Sequence, residues 1–159
     1  MSNQISPRPR VLGVTKRHFP IVASQFNQTY VKGLVDHFTT ELRALSPTAT
    51  VTLHQVPGAF EIPVVVREIA SQKRDDAVIA VGVILKGETD HAENLSRSVT
   101  DALQRIAVTH AVPVINVVLS FGTEAQARVR CLEDEINRGT EAARAAIGVS
   151  NVMSKLRNK

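Results

Sequence analysis

Ala77-Val78-Ile79-Ala80-Val81-Gly82-Val83-Ile84-Leu85 is an unbroken apolar run, rich in β-branched residues and followed by Lys86-Gly87. A strand with one wet face alternates apolar and polar residues, whereas a strand covered on both faces does not. The run therefore reads as a central strand of a parallel sheet. Upstream, Ile21-Val22-Ala23-Ser24 has the same character, and Tyr30, Val31, Leu34, Val35, Phe38, Leu42 and Leu45 then recur at the spacing of one helical face. Thr50-Val51-Thr52-Leu53-His54-Gln55-Val56 alternates with period two and stops at Pro57-Gly58. A helix over 63–71 follows, with Pro63 in its first turn, and Lys73-Arg74-Asp75-Asp76 reads as a solvated turn. Downstream, Leu95, Val99, Leu103 and Ile106 mark the core face of a further helix. Val112-Pro113-Val114-Ile115-Asn116-Val117-Val118-Leu119 is another buried strand, and helices are expected over 124–135 and 138–154.

Strands that alternate with helices and carry apolar residues on both faces form a mostly parallel sheet with right-handed crossovers and helices on either side. The fold class is α/β: a three-layer αβα sandwich around a four-stranded flavodoxin-like sheet. Val11-Leu12-Gly13-Val14 is a candidate N-terminal edge strand. Residues 1–10, with Pro7 and Pro9, are expected to be a flexible tail, and 11–159 a single domain. A chain of 159 residues, 43% hydrophobic, is long enough for one well-buried core and too short for two ordinary domains.

No apolar run approaches the roughly 20 residues that cross a bilayer, and the N-terminus lacks an apolar signal core. A cytoplasmic protein without a membrane partner is expected. Cys131 is the only cysteine, which excludes an intrachain disulfide and a cysteine-based zinc cluster. The net charge of +4 and pI near 9.6 raise the question of nucleic acid, but the basic residues gather at the termini. Aromatics make up only 4% and form no stripe with the basic residues, so no nucleic-acid partner is expected.

In a doubly wound sheet, ligands gather beyond the carboxyl ends of the strands. Three such ends stand out: Ser24 to Asn27, Pro57 to Glu61 and Lys86 to His91. Gly87-Glu88-Thr89-Asp90-His91 offers backbone amides, a hydroxyl and an imidazole where a helix begins, a setting for an anion with a proton-transfer group beside it. The glycine spacing from Gly82 to Thr89 imitates a phosphate-binding loop, yet Glu88 stands where its lysine belongs and would repel a triphosphate. A single phosphate monoester fits better, with Arg128, Arg130 or Lys86 as the fixed charge. His91 is either that proton-transfer group or a polar residue decorating a helix start. Phe26 and Phe60 either stack on something planar or fill the core at the sheet edge. Glu61 either accepts hydrogen bonds from ligand hydroxyls or favours a helix N-terminus.

The chain resembles the lumazine synthase family in three main places: Ser24-Gln25-Phe26-Asn27, Val56-Pro57-Gly58-Ala59-Phe60-Glu61-Ile62-Pro63, and Gly82 through His91. Weaker matches follow in family order: Val112-Pro113-Val114-Ile115, Glu124-Ala125-Gln126-Ala127 with Arg130, and Asn137-Arg138-Gly139 before Glu141-Ala142-Ala143. The resemblance implies condensation of 5-amino-6-(D-ribitylamino)pyrimidine-2,4-dione with 3,4-dihydroxy-2-butanone 4-phosphate to give 6,7-dimethyl-8-ribityllumazine, without metal or redox cofactor. It implies that Phe26, beside Asn27, stacks on the pyrimidine ring and that Ala59, Phe60 and Glu61 surround the ribityl chain. Ile84 and Leu85 would line the heterocycle, Glu88, Thr89 and Arg130 would hold the phosphate, and His91 would transfer protons.

Asn116-Val117 stands where the family often has Phe-Gly, whose ring reaches a neighbouring subunit's ligand. Ser120-Phe121 replaces the usual threonines, and Phe121 is a candidate for the lost apolar contact. The resemblance implies a homo-oligomer with active sites between subunits, built of pentamers that sometimes close into sixty-subunit shells. Cys131-Leu132-Glu133-Asp134-Glu135 in place of a glycine-rich turn points toward the open pentamer. The missing phenylalanine motivates an alternative reading, a non-catalytic paralogue that binds flavin or lumazine. A phosphosugar-binding regulatory domain is the more generic one.

Overall fold

The computed structural model describes residues 1–10 and 16–158. The candidate edge strand at Val11-Leu12-Gly13-Val14 lies outside the described residues. Strands β1 (His18–Ser24), β2 (Thr50–Val56), β3 (Val78–Leu85) and β4 (Val114–Phe121) alternate with α1 (Gln28–Leu45), α2 (Ile62–Ser71) and α3 (His91–His110). Two helices, α4 (Glu124–Cys131) and α5 (Arg138–Arg157), complete the chain. The sheet has the order β2-β1-β3-β4, and every pairing is parallel.

The apolar run that opens the sequence reading is β3, flanked by β1 and β4 and buried along all but its last residue. Alternation along it feeds two cores. Ile79, Val81 and Val83 join Phe19, Ile21, Leu34, Phe38, Ala143 and Ile147 on the side of α1 and α5. Val78, Ala80 and Ile84 join Val22, Ile62, Val66, Val99 and Leu103 on the side of α2 and α3. The result is the expected three-layer αβα sandwich. Strand β2 is the exception, exposed along most of its length, as its polar alternation requires at an edge.

Strand β1 starts at His18, earlier than the apolar residues suggest, because Pro20 is tolerated there. Proline lacks the N–H that a ladder uses, and β1 pairs with β3 only from Ile21 onward. The Lys73-to-Asp76 turn is also more than solvated. The Asp76 carboxylate accepts from the His18 backbone N–H at 3.0 Å, and Asp75 lies 2.5 Å from the His18 ring, whose other nitrogen is 2.7 Å from Thr52 Oγ1. These contacts tie the start of β1 to the turn before β3.

Helix α4 stops at Cys131 instead of continuing through residue 135. Beyond it, Asn137 caps α5 by accepting from the N–H groups of Gly139 and Thr140. Helices α1 and α5 approach closely, since a Cβ on Gly139 would collide with the backbone oxygen of Leu34, and α1 also meets the end of α4, where a Cβ on Gly33 would lie 2.5 Å from the backbone oxygen of Cys131. Ala142, Ala143 and Ala146 are buried against the chain's own core, and Leu132 packs on the same cluster. Phe121 is 2% exposed inside that cluster, so it supplies core and not the surface contact considered for it.

Candidate functional site

Helix α2 begins one step after a single 3-10 turn, Ala59–Glu61, and α3 begins at His91. Those two starts and the ends of β1 and β3 enclose a cleft of about 430 Å³ on the α2 and α3 side of the sheet. Of the residues expected at a site, Phe26, Asn27, Ala59, Phe60, Glu61, Ile84, Leu85 and His91 line this one cleft. It gathers three strand ends that lie far apart in sequence.

Each wall has a local cause. Asn27 adopts the left-handed conformation, φ 53°, which asparagine tolerates better than most residues. Its backbone carbonyl accepts from the N–H groups of Tyr30 and Val31 to start α1. Its side-chain amide donates to the Val83 carbonyl at 2.7 Å, which joins the β1 loop to β3 just beyond the ladder between those strands. Phe26, immediately before this anchor, is 70% exposed, and Phe60, also lining the cleft, is 68% exposed. Neither ring fills the core. Gly58 permits the close approach of the walls: a Cβ there would come 3.0 Å from the Glu61 carboxylate and 3.5 Å from the Phe26 ring. Glu61 has no side-chain capping bond at the start of α2, which leaves its carboxylate available to a ligand.

His91 is the first residue of α3, exposed at the cleft, and Asp90 before it makes no side-chain cap. Glu88 and Thr89 are exposed on the adjoining loop without lining the cleft. The imitation phosphate-binding loop is dissolved, because Gly82 through Leu85 belong to β3. Cys131 is no nucleophile candidate: it is fully buried and burial pushes its thiol up to about 12. Among the described residues, no group of three histidine, cysteine, aspartate or glutamate side chains is placed to hold a metal.

Two expected residues sit elsewhere. Asn116 lies within β4, opposite Ala80 of β3, where its side-chain oxygen accepts from the Val118 N–H at 3.0 Å. Arg130, on α4, donates to the Ser2 carbonyl at 2.8 Å and to the Asn3 side chain at 3.0 Å. Other N-terminal residues meet basic side chains nearby: Arg138 bonds to the carbonyls of Ser2 and Gln4, and Arg144 to that of Ser6. Behind them Glu41, with an 8% exposed side chain, accepts from Arg8 and from Arg144, each at 2.8 Å. The Arg8 hydrogen bond, with Arg144 in support, holds the Glu41 carboxyl below the usual carboxylate range.

Ser24, Gly58, Val83 and Leu95 also line the cleft. Gly58 and Leu95 are implicit in the turn after β2 and in the apolar face of α3. Ser24 opens the first of the three strand ends expected at the site, a hydroxyl closing an otherwise apolar strand.

An α/β sandwich with an aromatic-walled cleft at the carboxyl ends of its two middle strands, and a carboxylate and an imidazole in it, belongs to the small-molecule enzymes of the doubly wound class. The profile of the 6,7-dimethyl-8-ribityllumazine synthase family matches residues 16–154. The synthase of that name from Leptothrix cholodnii is 37% identical over 137 residues, covering 86% of each chain. That of Chromobacterium violaceum is 36% identical over 138 residues, again 86% of each, and that of Paraburkholderia phymatum 38% over 133 residues, 83% of this chain and 75% of its own. The chain belongs to the 6,7-dimethyl-8-ribityllumazine synthase family and is an enzyme.

Proposed function

We propose that this enzyme is a transferase of riboflavin biosynthesis. It condenses 5-amino-6-(D-ribitylamino)pyrimidine-2,4-dione with 3,4-dihydroxy-2-butanone 4-phosphate to 6,7-dimethyl-8-ribityllumazine, releasing phosphate and water. Beyond family membership, the observation that carries the reading is the pair of exposed rings, Phe26 and Phe60, lining one cleft together with Glu61. A planar heterocycle is held by stacking on Phe26 and by Ile84 and Leu85, while Ala59, Phe60 and Glu61 receive the polyhydroxyl chain, the carboxylate accepting its hydroxyl protons. The amine attacks the ketone and loses water to form an imine, phosphate is eliminated, and ring closure expels a second water. His91 at the cleft moves the protons these steps require. Because both substrates are intrinsically reactive, holding them together supplies much of the acceleration.

The backbone amides of Glu88 and Thr89 and the Thr89 hydroxyl receive the phosphate. Arg130 is fastened within its own chain to the N-terminal residues. We therefore place the active site at a boundary between copies in a homo-oligomer, with the neighbour's Arg130 and Asn116 facing this cleft. A single domain over 11–159, working in the cytoplasm without metal or redox cofactor, completes the reading.

Mixing the purified protein with both substrates and following lumazine absorbance tests it directly. Turnover is expected. Product binding without turnover would favour a non-catalytic binding protein, the reading that Asn116 motivates, since its side chain is bonded to its own strand. Arg130→Ala is expected to raise the KM for the four-carbon phosphate about 10-fold, the loss of one charge-assisted contact. An unchanged KM would remove Arg130 from the phosphate site.

A further inference from the structure

Ser24 is the last residue of β1 and is 3% exposed, and its hydroxyl has no hydrogen-bond partner in the fold. Alternation puts it on the same face as Val22, toward α2 and α3, at the edge of the aromatic-walled cleft that it helps to line. Its neighbour across the sheet is Gly82. A Cβ on Gly82 would lie 3.2 Å from Ser24 Oγ, 3.3 Å from Ile62 Cδ1 and 3.4 Å from Val118 Cγ1. The hydroxyl thus borders the space a side chain at 82 would claim, a space that Ile62 and Val118 bound with apolar atoms. Alanine would fill this position with no polar atom to bury, and an unpaired buried hydroxyl destabilises a fold. Serine here detracts from stability in the empty protein.

We propose that Ser24 is a specificity-determining residue, its hydroxyl pairing with the polar edge of the heterocycle bound in the cleft. The assignment rests on the function proposed above and deepens it. A turn about the single Cα–Cβ torsion swings Oγ from Gly82 toward the cleft, where Phe26, two residues on, stacks on the ring and Ile84, two residues beyond Gly82, supports it. Glu61, assigned to the polyhydroxyl chain, belongs to the segment after β2, whereas Ser24 and Phe26 share the end of β1, so the group that meets Ser24 is assigned to the ring. A pyrimidinedione carries both carbonyl and N–H groups on its edge, and a hydroxyl answers either because it donates and accepts. A flat apolar ring of the same size would leave the hydroxyl unpaired, which is how the site would discriminate.

The full-length protein and Ser24→Ala are titrated with the ribitylaminopyrimidinedione by calorimetry, with steady-state kinetics and thermal unfolding alongside. Affinity for the pyrimidinedione is expected to fall about 3- to 10-fold, the worth of one neutral hydrogen bond. The KM for that substrate should rise alike, the KM for the four-carbon phosphate should stay unchanged, and the melting temperature should hold or increase. A merely structural hydroxyl cannot give this combination of weaker binding and undiminished stability. Ser24→Cys, similar in size with a feebler donor, should fall between the two. Wild-type affinity in Ser24→Ala, or a lowered melting temperature with binding intact, would overturn the assignment alone. Failure of the wild-type protein to bind the pyrimidinedione would overturn the functional reading and the serine with it.

Discussion

Phe26 shows how an individual side chain betrays a site. A ring left 70% exposed beside a residue in a left-handed turn contributes little to the fold, so Phe26→Ala should change stability by less than about 0.5 kcal/mol in urea unfolding. The same change should raise the KM for the pyrimidinedione about 3- to 10-fold, because it removes an aromatic stacking partner. Equal effects on both substrates would argue against stacking on the ring. His91→Ala should lower kcat about 10- to 100-fold, at or below the bottom of the usual range for acid–base groups, since positioning persists without it. Stopped-flow absorbance would show this, and complete loss would mean that the imidazole does far more than shuttle protons. The residues of the cleft were legible beforehand because three turn segments, two of them carrying a phenylalanine, each followed a strand. Whether the rings were core or wall was not legible, since an apolar residue beyond a strand end satisfies either role. Only the packing decides.

Among the helix pairs, α1 and α5 meet most extensively. Gly139 sits where a side chain would strike the Leu34 carbonyl, so Gly139→Ala should cost about 1 to 3 kcal/mol of unfolding free energy, as overpacking typically does. An unaltered denaturation midpoint would show that the helices can slide apart freely. Periodicity found α1, α2 and α3 because each has a one-sided apolar face, and it found β3 because an interior parallel strand is apolar throughout. It missed the start of β1, because the apolar run begins only at Ile21 while His18 to Pro20 pair with β2 and not with β3. It carried α4 too far, because Leu132 extends the pattern while the chain turns toward the Asn137 cap. Local rules cannot anticipate such outcomes, which depend on which neighbour a strand meets and where the next helix must begin.

For the molecule as a whole, the order β2-β1-β3-β4 brings together residues that the sequence separates widely. Glu41 is one such meeting point, taking Arg8 from the N-terminal segment and Arg144 from α5. Its carboxyl titrates lower in the folded chain than in the unfolded one, so the unfolded chain binds the extra proton as pH falls. The stabilisation is therefore complete above the ordinary glutamate range, about 4.3, and is lost as pH drops through the lower folded value. Glu41→Gln should melt below the wild type at neutral pH, with the gap narrowing in acid. A gap independent of pH would show that charge is not its source. These long-range pairings were not readable from the sequence, where Arg8 was one basic residue of a tail. The same arrangement has a temporal side. Ile21 pairs with Ile79, and the cleft needs residues from Ser24 through Leu95, so no growing chain can bind its ligand until β3 and the start of α3 have emerged and docked. The sheet already joins these segments, and a ligand in the cleft would touch early-made and late-made parts of the polypeptide at once, adding its binding free energy to the folded chain alone.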